Sequence, residues 1–384
     1  MLELGIGLDA KEGSPVVQKG DRYKHLLCLG STGMGKTTFL SYLIRKEIDN
    51  ACIVLDPNGN LIEQVAPFIP IERILYIDKH NPISLNPLSR GYLNWSENAK
   101  ELIQLINSAV KELNSKQVEM TVLMTRIVKN AIRVFKEDEQ HLTHLMEFLD
   151  KDKSRTEFAT DPFWNNFDKV NREAKESCKR ITARLSVYCD DLDLHPFLSG
   201  KNNFNLTEII NNKKVVLINC EGLDDEATAF LGCLITNQIK SHYLHQAKVR
   251  GNPLFLYFDE FHLFIQEHFG RFLAEGRKYN SSFNFAGHFF ALLDTMFRAM
   301  VLRCHAKVIL GNDGDDAQIL SKSLQIKASD IINLKPFHAI TRIGNKNFKI
   351  QLFRPSLKIP IQFSKPQRPI LEELCFLGDE WIYY

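Results

Sequence analysis

The chain has 384 residues, of which 44% are hydrophobic and 24% are charged, a composition typical of folded globular proteins. Its length suits about two domains of roughly 150 residues each, or one large domain that carries an insertion. The formal net charge is only +2, so a surface that binds nucleic acid would have to be local. No secretory signal opens the sequence and no run of about 18 consecutive apolar residues occurs, so we expect a cytoplasmic protein without a membrane span.

The strands predicted along the chain are short, continuous apolar runs, most of them bounded by Gly, Asn or Asp. They lie at residues 25–30, 51–56, 73–78, 214–220, 254–260, 283–287 and 307–311. Runs of this kind are typical of strands that are buried on both faces of a mostly parallel sheet. Helical periodicity separates several of them, which predicts an α/β fold.

The alternation of strands and helices stops between about residues 92 and 205. Helical periodicity continues there, for example at Ala99, Leu102, Ile103 and Ile106, and we find no convincing strand. We therefore predict an all-helical insertion domain at 92–205 within an α/β domain formed by 1–91 and 206–354. Residues 355–384 contain four prolines and are expected to form an extended C-terminal tail that ends in a short helix.

The segment from Gly30 to Thr37 fits the pattern G-x-x-x-x-G-K-[ST]. It follows a predicted strand and precedes an amphipathic helix, which is the context that a phosphate-binding loop requires. In such a loop the glycines bring backbone N–H groups towards a β-phosphate, the side chain of Lys36 reaches the β- and γ-phosphates, and the Thr37 hydroxyl binds Mg²⁺. A glycine-rich turn with an exposed lysine is the alternative. The predicted nucleotide-binding residues are Gly30, Ser31, Thr32, Gly33, Met34, Gly35, Lys36, Thr37 and Thr38.

A second motif ends the apolar strand predicted at 254–260, where Asp259 is followed by Glu260. A carboxylate at this strand end, beside the phosphate loop, can hold Mg²⁺, and we assign that role to Asp259. Glu260 would then act as the general base that polarises the attacking water. This pairing is typical of P-loop motors that hydrolyse nucleotide rather than of kinases. An Asp–Glu pair that simply ends a strand in solvent is the alternative.

Together with further motifs, these residues resemble the FtsK/HerA superfamily of hexameric P-loop motors, and more narrowly the TraG/TraD-type coupling ATPases of conjugation and type IV secretion. The resemblance spans roughly residues 3 to 350, and Asn58 stands where the family has a histidine. The segments that carry it, besides the phosphate loop, are "VLDPNG" (54–59), "PISLNPL" (82–88), "DPFWNNF" (161–167), "YFDEFHLF" (257–264) and "LAEGRKYN" (273–280). It implies a RecA-like P-loop NTPase core with an inserted all-helical domain, ATP and Mg²⁺ as cofactors, and a homo-oligomeric ring, in particular a hexamer, that moves DNA through its pore.

The resemblance also implies roles for two further residues. Arg277 falls at the position of the arginine that reaches the γ-phosphate in a neighbouring subunit, although a surface arginine on a helix that pairs with Glu275 or with a phosphate has the same appearance. His288, which follows Gly287, occupies the position of a glutamine that senses the γ-phosphate. Histidine can still donate one hydrogen bond, so both retention and loss of sensing stay open.

Contacts with DNA have one candidate in the helical region. Lys169, Arg172, Lys175 and Lys179 share one predicted helical face and could follow a phosphate backbone. Acidic residues are interleaved with them, so a solvated helix face is equally compatible with this pattern. No base-reading motif is present, so we expect DNA binding to be independent of sequence.

Metal sites other than the Mg²⁺ site are not expected. The eight cysteines include no C-x-x-C pair, which favours reduced, buried thiols over disulfides or a metal cluster. His242 and His245 have a spacing that metal sites sometimes use, but without a third ligand nearby a pair on a helix surface is the better interpretation.

The partner is the least determined part of the interpretation. Coupling ATPases of the resembled type commonly carry N-terminal membrane helices, whereas this sequence has none. The chain is then expected to work as a soluble ring, to dock on a membrane-bound secretion component, or to serve a relaxase or nuclease. Two alternative functions follow: a nucleotide-gated secretion or assembly platform that acts on proteins, and a HerA-like ring that serves a nuclease or defence partner.

Overall fold

The computed structural model describes most of the chain. The described residues are 2–8, 15–18, 25–88, 95–113, 120–135, 141–150, 161–165, 167, 172–246, 252–264, 273, 280–288, 290–293 and 295–353. The predicted C-terminal tail at 355–384 lies outside them.

The described strands form one eleven-stranded sheet with the order β2-β1-β11-β10-β9-β3-β8-β7-β4-β6-β5. In chain order the strands are β1 (Leu2–Gly7), β2 (Pro15–Gln18), β3 (Leu26–Leu29), β4 (Ala51–Asp56), β5 (Ile74–Ile77), β6 (Val215–Asn219), β7 (Leu254–Phe258), β8 (Ser281–Gly287), β9 (Ala306–Ile309), β10 (His338–Ile343) and β11 (Lys346–Gln351).

The seven strands from β9 to β5 in that order form a continuous parallel half of the sheet. All seven were predicted from the sequence, so the mostly parallel α/β fold is confirmed. In β3, β4, β6, β7 and β8 every residue is buried. This burial explains why these strands have continuous apolar runs rather than an alternating pattern.

The other four strands form an antiparallel wing made of β10, β11, β1 and β2. These strands were not among those predicted. In β11 only Ile350 is buried, and the strand is otherwise exposed or half-buried. Such a strand alternates between a covered and a solvated face, so it has no continuous apolar run.

The described residues also form α-helices along the chain. They are α1 (Lys36–Lys46), α2 (Asn60–Val65), α3 (Trp95–Leu113), α4 (Val122–Val134), α5 (Leu142–Asp150), α6 (Arg172–Cys189), α7 (His195–Leu198), α8 (Leu206–Asn211), α9 (Asp225–Gln246), α10 (Thr295–Val301), α11 (Gly314–Leu324) and α12 (Ala328–Ile332). Short 3-10 helices lie at Ala66–Phe68, Ile71–Arg73, Phe261–Leu263 and Phe290–Leu292.

Helices cover both faces of the parallel half. Side chains that alternate along the central strands, such as Leu27 and Ile53 against Cys28 and Val54, fall into two separate buried clusters. The first cluster continues into α3, α4, α5, α6 and α9, and the second contains the buried faces of α1 and α2. Each face is therefore closed by helix packing, as an α/β architecture requires.

Between β5 and β6 the regular elements of the described residues are helices, apart from a single bridge between Asp78 and Asn81. The periodicity at Ala99, Leu102 and Ile106 corresponds to the buried face of α3. This region packs on the α/β part through α3 and α9. The domain boundaries at 92 and 205 stay a prediction.

The described residues bear on the predictions about thiols, metal sites and membrane spans. The seven described cysteines are all buried and unbonded. No group of three or more His, Cys, Asp or Glu side chains is placed to hold a metal ion in these ranges, and the side chain of His245 lies outside them. None of the described helices has the length and apolar character that crossing a lipid bilayer requires.

Candidate nucleotide-binding site

The predicted phosphate loop lies at the carboxyl end of β3, in the middle of the sheet, and leads directly into α1. Gly33 and Gly35 have φ angles of 80° and 106°, in the left-handed region that glycine adopts without steric cost. The loop is held from the neighbouring strand end, where the Ser31 N–H donates to the Gly311 carbonyl at 2.8 Å. The loop is thus built to turn the chain sharply and to direct the first N–H groups of α1 towards a ligand.

Lys36 is the first residue of α1, and its side chain is only 7% exposed. Its Nζ atom donates hydrogen bonds to the carbonyl oxygens of Gly30 at 2.8 Å and Ser31 at 3.4 Å. The ammonium group therefore folds back over the loop and is held within it. A positive charge in this position can bind the phosphates that the loop encloses.

Asp259 lies directly after β7, next to the phosphate loop. The Thr37 hydroxyl donates to its Oδ2 atom at 3.3 Å, and the Asp259 N–H donates to the Leu55 carbonyl at 3.1 Å. Burial, with a further contribution from the nearby charges of Asp56 and Glu260, raises the pKa of Asp259 to about 7, against the opposing effects of Lys36 and of the Thr37 hydrogen bond.

A divalent cation fits this arrangement. A buried carboxylate that resists ionisation is stabilised by an added positive charge, and Mg²⁺ prefers oxygen donors such as the Asp259 carboxylate and the Thr37 hydroxyl. Mg²⁺ sites that also bind phosphate commonly use only one or two protein carboxylates. One carboxylate, that of Asp259, is therefore sufficient for this kind of site.

Asp56 is a neighbouring acid to which the sequence analysis gave no role. It follows β4 within the "VLDPNG" segment, and it accepts hydrogen bonds from the N–H groups of Asn58, Leu61 and Ile62 at 2.7–3.1 Å. It thereby caps the N-terminus of α2. Burial nevertheless raises its pKa, because desolvation outweighs these hydrogen bonds. Its charge contributes to the raised pKa of Asp259.

Glu260 and His288 meet at the ends of the adjacent parallel strands β7 and β8. The Glu260 Oε2 atom lies 2.6 Å from His288 Nδ1. Glu260 itself has a φ of 48°, and its N–H donates to Asp259 Oδ1 at 3.2 Å. A non-glycine residue in this region of φ is uncommon and is concentrated at functional sites. The structure thus brings together two predicted site residues that are 28 positions apart in the sequence.

A second histidine, which the sequence analysis did not single out, also lies beside Glu260. His262 Nδ1 is 3.7 Å from Glu260 Oε2, and the His262 and His288 rings are nearly perpendicular, with centroids 5.8 Å apart. Burial lowers the pKa of His262, with the Glu260 carboxylate acting in the opposite direction. The signal in the sequence is its position two residues after Glu260 in "DEFHLF", but this spacing alone does not show which way the ring points.

The chain after His288 is fixed by an acid from another helix. The Asp316 carboxylate of α11 accepts hydrogen bonds from the N–H groups of Phe290 at 3.0 Å and Ala291 at 2.6 Å. The donors of the short helix Phe290–Leu292 are thereby satisfied. This contact holds the turn that presents His288 to Glu260.

Arg277 lies outside the described residues, so its role stays a prediction. Leu273, four residues earlier in the sequence, is described, and its carbonyl oxygen is 2.9 Å from His25 Nε2. The Phe283 N–H of β8 donates to His25 Nδ1 at 3.2 Å. Since Nδ1 accepts this hydrogen bond, Nε2 carries the proton and donates to Leu273.

The predicted basic stripe is only partly described, because Lys169 lies outside the described residues. Arg172 and Lys179 are exposed on α6, and Lys175 is half-buried. Among the acids on this face, Glu176 forms an ion pair with Arg180 at 3.7 Å. Both interpretations of this face, as a DNA contact and as a solvated surface, are compatible with these contacts.

Comparison with known proteins identifies a family by sequence and a fold by structure. Residues 13–336 match the family described as the type IV secretion-system coupling protein DNA-binding domain. No curated protein matches the chain by sequence.

Solved structures of similar fold include the plasmid coupling protein TrwB in complex with the ATP analogue ADPNP, with 16% identity, a TM-score of 0.68, and coverage of 88% of this chain and 87% of that one. TrwB with ADP and Mg²⁺ gives 18% identity, a TM-score of 0.68 and the same coverage. VirB4 of Thermoanaerobacter pseudethanolicus gives 12% identity, a TM-score of 0.66, and coverage of 93% of this chain and 97% of that one. These similarities confirm the RecA-like P-loop ATPase fold.

Proposed function

Because the chain belongs to the type IV secretion-system coupling protein family, we propose that it is a ring-forming ATPase that hydrolyses ATP to move DNA through a central pore, as in conjugative transfer. The observation that carries the ATPase part is the convergence of Lys36, Asp259 and Glu260 at the carboxyl ends of two strands, β3 and β7. A cation for phosphate, an oxygen ligand for metal and a carboxylate base are the groups that hydrolysis of a phosphoanhydride needs.

ATP and Mg²⁺ are the proposed cofactors. Lys36 and the N–H groups of residues 30–38 would hold the phosphates, and Thr37 and Asp259 would hold the metal. When bound, Mg²⁺ supplies charge that neutralises the phosphate oxygens. The solved TrwB complexes contain ADPNP in one case and ADP with Mg²⁺ in another, and this supports the same ligands for the present fold.

The chemical step is proposed to depend on Glu260. Its carboxylate would accept a proton from the water that attacks the γ-phosphorus, with His288 Nδ1 at 2.6 Å and His262 Nδ1 at 3.7 Å from its Oε2 atom. His288 lies next to this base at the end of β8, so it is the residue that would respond to the γ-phosphate. Phosphoryl transfer needs chiefly positioning and charge stabilisation, and both come here from the strand ends.

The proposal also includes oligomerisation and the movement of DNA. Arg277 would reach the nucleotide of a neighbouring subunit in a homo-oligomeric ring, which we propose to be a hexamer. The exposed basic residues of α6 would contact DNA phosphates independently of sequence. A membrane-bound secretion component, or a relaxase or nuclease, is the proposed protein partner.

The test of the proposal is ATP hydrolysis by the purified chain, with and without single- and double-stranded DNA. We expect DNA to raise the rate several-fold and Glu260→Gln and Arg277→Ala each to abolish it. Mixing these two inactive variants is expected to restore part of the activity, because some sites then combine an intact Glu260 with a neighbour's intact Arg277. A hydrolysis rate that DNA does not change would contradict the DNA motor and favour a platform that acts on proteins.

The DNA surface is tested by reversing its charge. Arg172→Glu/Lys179→Glu should weaken DNA binding and reduce its salt dependence, because two phosphate contacts are lost. Lys346→Glu/Lys349→Glu, on the exposed strand β11, makes the same change in charge at a site remote from α6 and serves as the control. Equal effects of both pairs would show that only the net charge matters and would exclude α6 as a specific contact.

A further inference from the structure

The order of strands gives the direction in which a bound nucleotide must lie. Asp259 and Glu260 follow β7, and His288 follows β8, so all three lie on one side of β3 and its phosphate loop. They mark the side of the γ-phosphate, because the metal ligand and the base act there. The ribose and base at the opposite end of the nucleotide must then extend towards the other side of the loop, where β9 ends and β10 begins.

Phe337 lies at that other side. It immediately precedes β10, whose first residue lies at the carboxyl end of the antiparallel neighbour β9. The Phe337 N–H donates to the Met34 carbonyl of the phosphate loop at 3.0 Å, and its own carbonyl accepts from the Leu352 N–H at 2.8 Å. The half-buried ring lies so close to Gly35 that a Cβ atom there would be 2.7 Å from Phe337 Cδ1.

The backbone of Phe337 is in an unfavourable conformation for an aromatic residue. Its φ is 62°, in the left-handed region where a residue with a large side chain is an outlier. Glycine would satisfy this turn without strain, and the two backbone hydrogen bonds do not require a side chain. The ring is thus retained at a conformational cost, and such strain is concentrated at ligand-binding sites.

Met34 extends the apolar surface beside the ring. Its Cε atom packs against Gly311, where an added Cβ would lie 2.5 Å away. Met34 and Phe337 both pack at the edge of the second buried cluster and are half-buried. An apolar, polarisable rim on an otherwise polar phosphate loop suits a flat aromatic ligand rather than a phosphate.

We propose that Phe337 is the platform on which the base of the bound nucleotide stacks, with Met34 beside it. The proposal rests on the nucleotide-binding function proposed above. Stacking uses the face of the base and not its hydrogen-bonding edges, so purine nucleotides bind similarly to one another. Pyrimidine nucleotides, which offer a smaller ring, bind more weakly.

The experiment compares ATP with inorganic tripolyphosphate, which has the phosphates but no base. Calorimetric titration in the presence of Mg²⁺ would measure both ligands on the full chain. Phe337→Ala should weaken ATP binding by about 5- to 100-fold, the range found when a stacking aromatic is removed, and leave tripolyphosphate binding unchanged. Phe337→Trp should retain ATP binding. Phe337→Leu, which is apolar but not flat, should behave like Phe337→Ala.

Controls separate stacking from a structural role. Phe348→Ala removes another half-buried ring of the antiparallel wing and should leave both affinities unchanged. Phe337→Gly, which relieves the strained backbone, should fold at least as well as the wild type and still show the selective loss of ATP affinity. Thermal unfolding of each variant shows whether it is folded.

Three results would overturn the proposal. One is wild-type ATP affinity in Phe337→Ala, a second is an equal loss of ATP and tripolyphosphate, and a third is full ATP affinity in Phe337→Leu. Failure of the underlying nucleotide-binding function has a different signature, because the wild type would then bind neither ATP nor tripolyphosphate.

Discussion

The parallel half and the antiparallel wing belong to one sheet but differ in burial. The strands at the centre of the parallel half are buried along their whole length, whereas β11 of the wing is mostly exposed. A strand that is packed on both faces has one register and one position, so a side chain at its end is placed accurately. The groups proposed for chemistry, Asp259, Glu260 and His288, all follow strands of the parallel half.

The wing contacts the phosphate loop through the residue that immediately precedes β10. The Phe337 N–H bonds to Met34, and the rest of the hairpin extends away from the loop towards β1 and β2. The comparison therefore places the groups proposed for phosphate binding, metal binding and hydrolysis in the parallel half, and the ring proposed to contact the base beside the start of the wing. Substitutions in each of the two parts test this division.

Glu260→Gln should reduce the rate of ATP hydrolysis by about 10²- to 10⁴-fold, because the amide cannot accept a proton from water. Nucleotide affinity should be retained, since Lys36 and Asp259 are unchanged. Steady-state hydrolysis and equilibrium titration measure the two quantities, and Glu63→Gln, an exposed acid on α2, is the matched control. Undiminished hydrolysis would require another base.

His288→Ala should lower the hydrolysis rate by about tenfold, the effect of losing one polar contact worth about 1.4 kcal/mol at the base. His288→Gln should restore most of the rate, because an amide can reach Glu260 and donate a hydrogen bond. His338→Ala, a half-buried histidine at the start of β10, should leave the rate unchanged. If the glutamine variant is as slow as the alanine variant, the rate depends on the imidazole ring itself rather than on a hydrogen bond that an amide can replace.

Arg342→Ala should lower the free energy of unfolding by about 1–2 kcal/mol without changing the rate of hydrolysis. Its guanidinium donates to the Leu324 carbonyl at 2.8 Å, the Ser323 carbonyl at 3.3 Å and the Gly344 carbonyl at 3.2 Å, and so joins β10 to the end of α11. Denaturant unfolding measures the loss. Arg342→Lys, which keeps the charge but not the fork of donors, should be intermediate. A fall in the hydrolysis rate of the folded variant would contradict the division.

Asp259→Asn should slightly stabilise the fold at about pH 8 in the absence of Mg²⁺ and nucleotide. The pKa of Asp259 is raised from 3.8 to about 7 in the folded chain, chiefly by burial. A raised pKa means that stability present below the unfolded value is lost as the pH rises through the folded value. Asparagine carries no charge and so avoids this loss. Each kcal/mol gained in the free energy of unfolding would raise the melting temperature by about 2 °C.

The stabilisation by Asp259→Asn should shrink when the pH is lowered from about 8 to about 6, since the wild-type carboxyl then becomes protonated. Calorimetric melting at several pH values follows it. Mg²⁺-dependent nucleotide binding should be lost in the same variant. A lower melting temperature of Asp259→Asn at pH 8 would show that the carboxylate stabilises the metal-free fold.

The strands could be predicted from the sequence where they are completely buried. The seven parallel strands have continuous apolar runs, and the phosphate loop and the Asp259–Glu260 pair are contiguous motifs at their ends. The wing was missed because its strands alternate polar and apolar residues. The Gly344–Asn345 pair between β10 and β11, with Gly344 at a φ of 59°, is the hairpin signal that could have revealed it.

Other site residues depend on tertiary contacts that no local pattern encodes. Phe337 lies about 300 positions after the phosphate loop that it touches, and only the antiparallel pairing of β10 with β9 brings it there. His262 is close to a motif, but the direction of its ring depends on the 3-10 helix Phe261–Leu263. Arg277 was inferred from resemblance alone.

His25 connects parts of the molecule that are proposed to act at different nucleotides. Its imidazole accepts from Phe283 on β8, the strand that ends at His288, and donates to Leu273, four residues before Arg277. The imidazole therefore joins the strand next to the proposed catalytic base to Leu273, near the arginine proposed to act in a neighbouring subunit. In the proposed ring, a displacement of β8 on loss of phosphate would act on Leu273 through two hydrogen bonds, and this would provide a mechanical route for the subunits to fire in sequence.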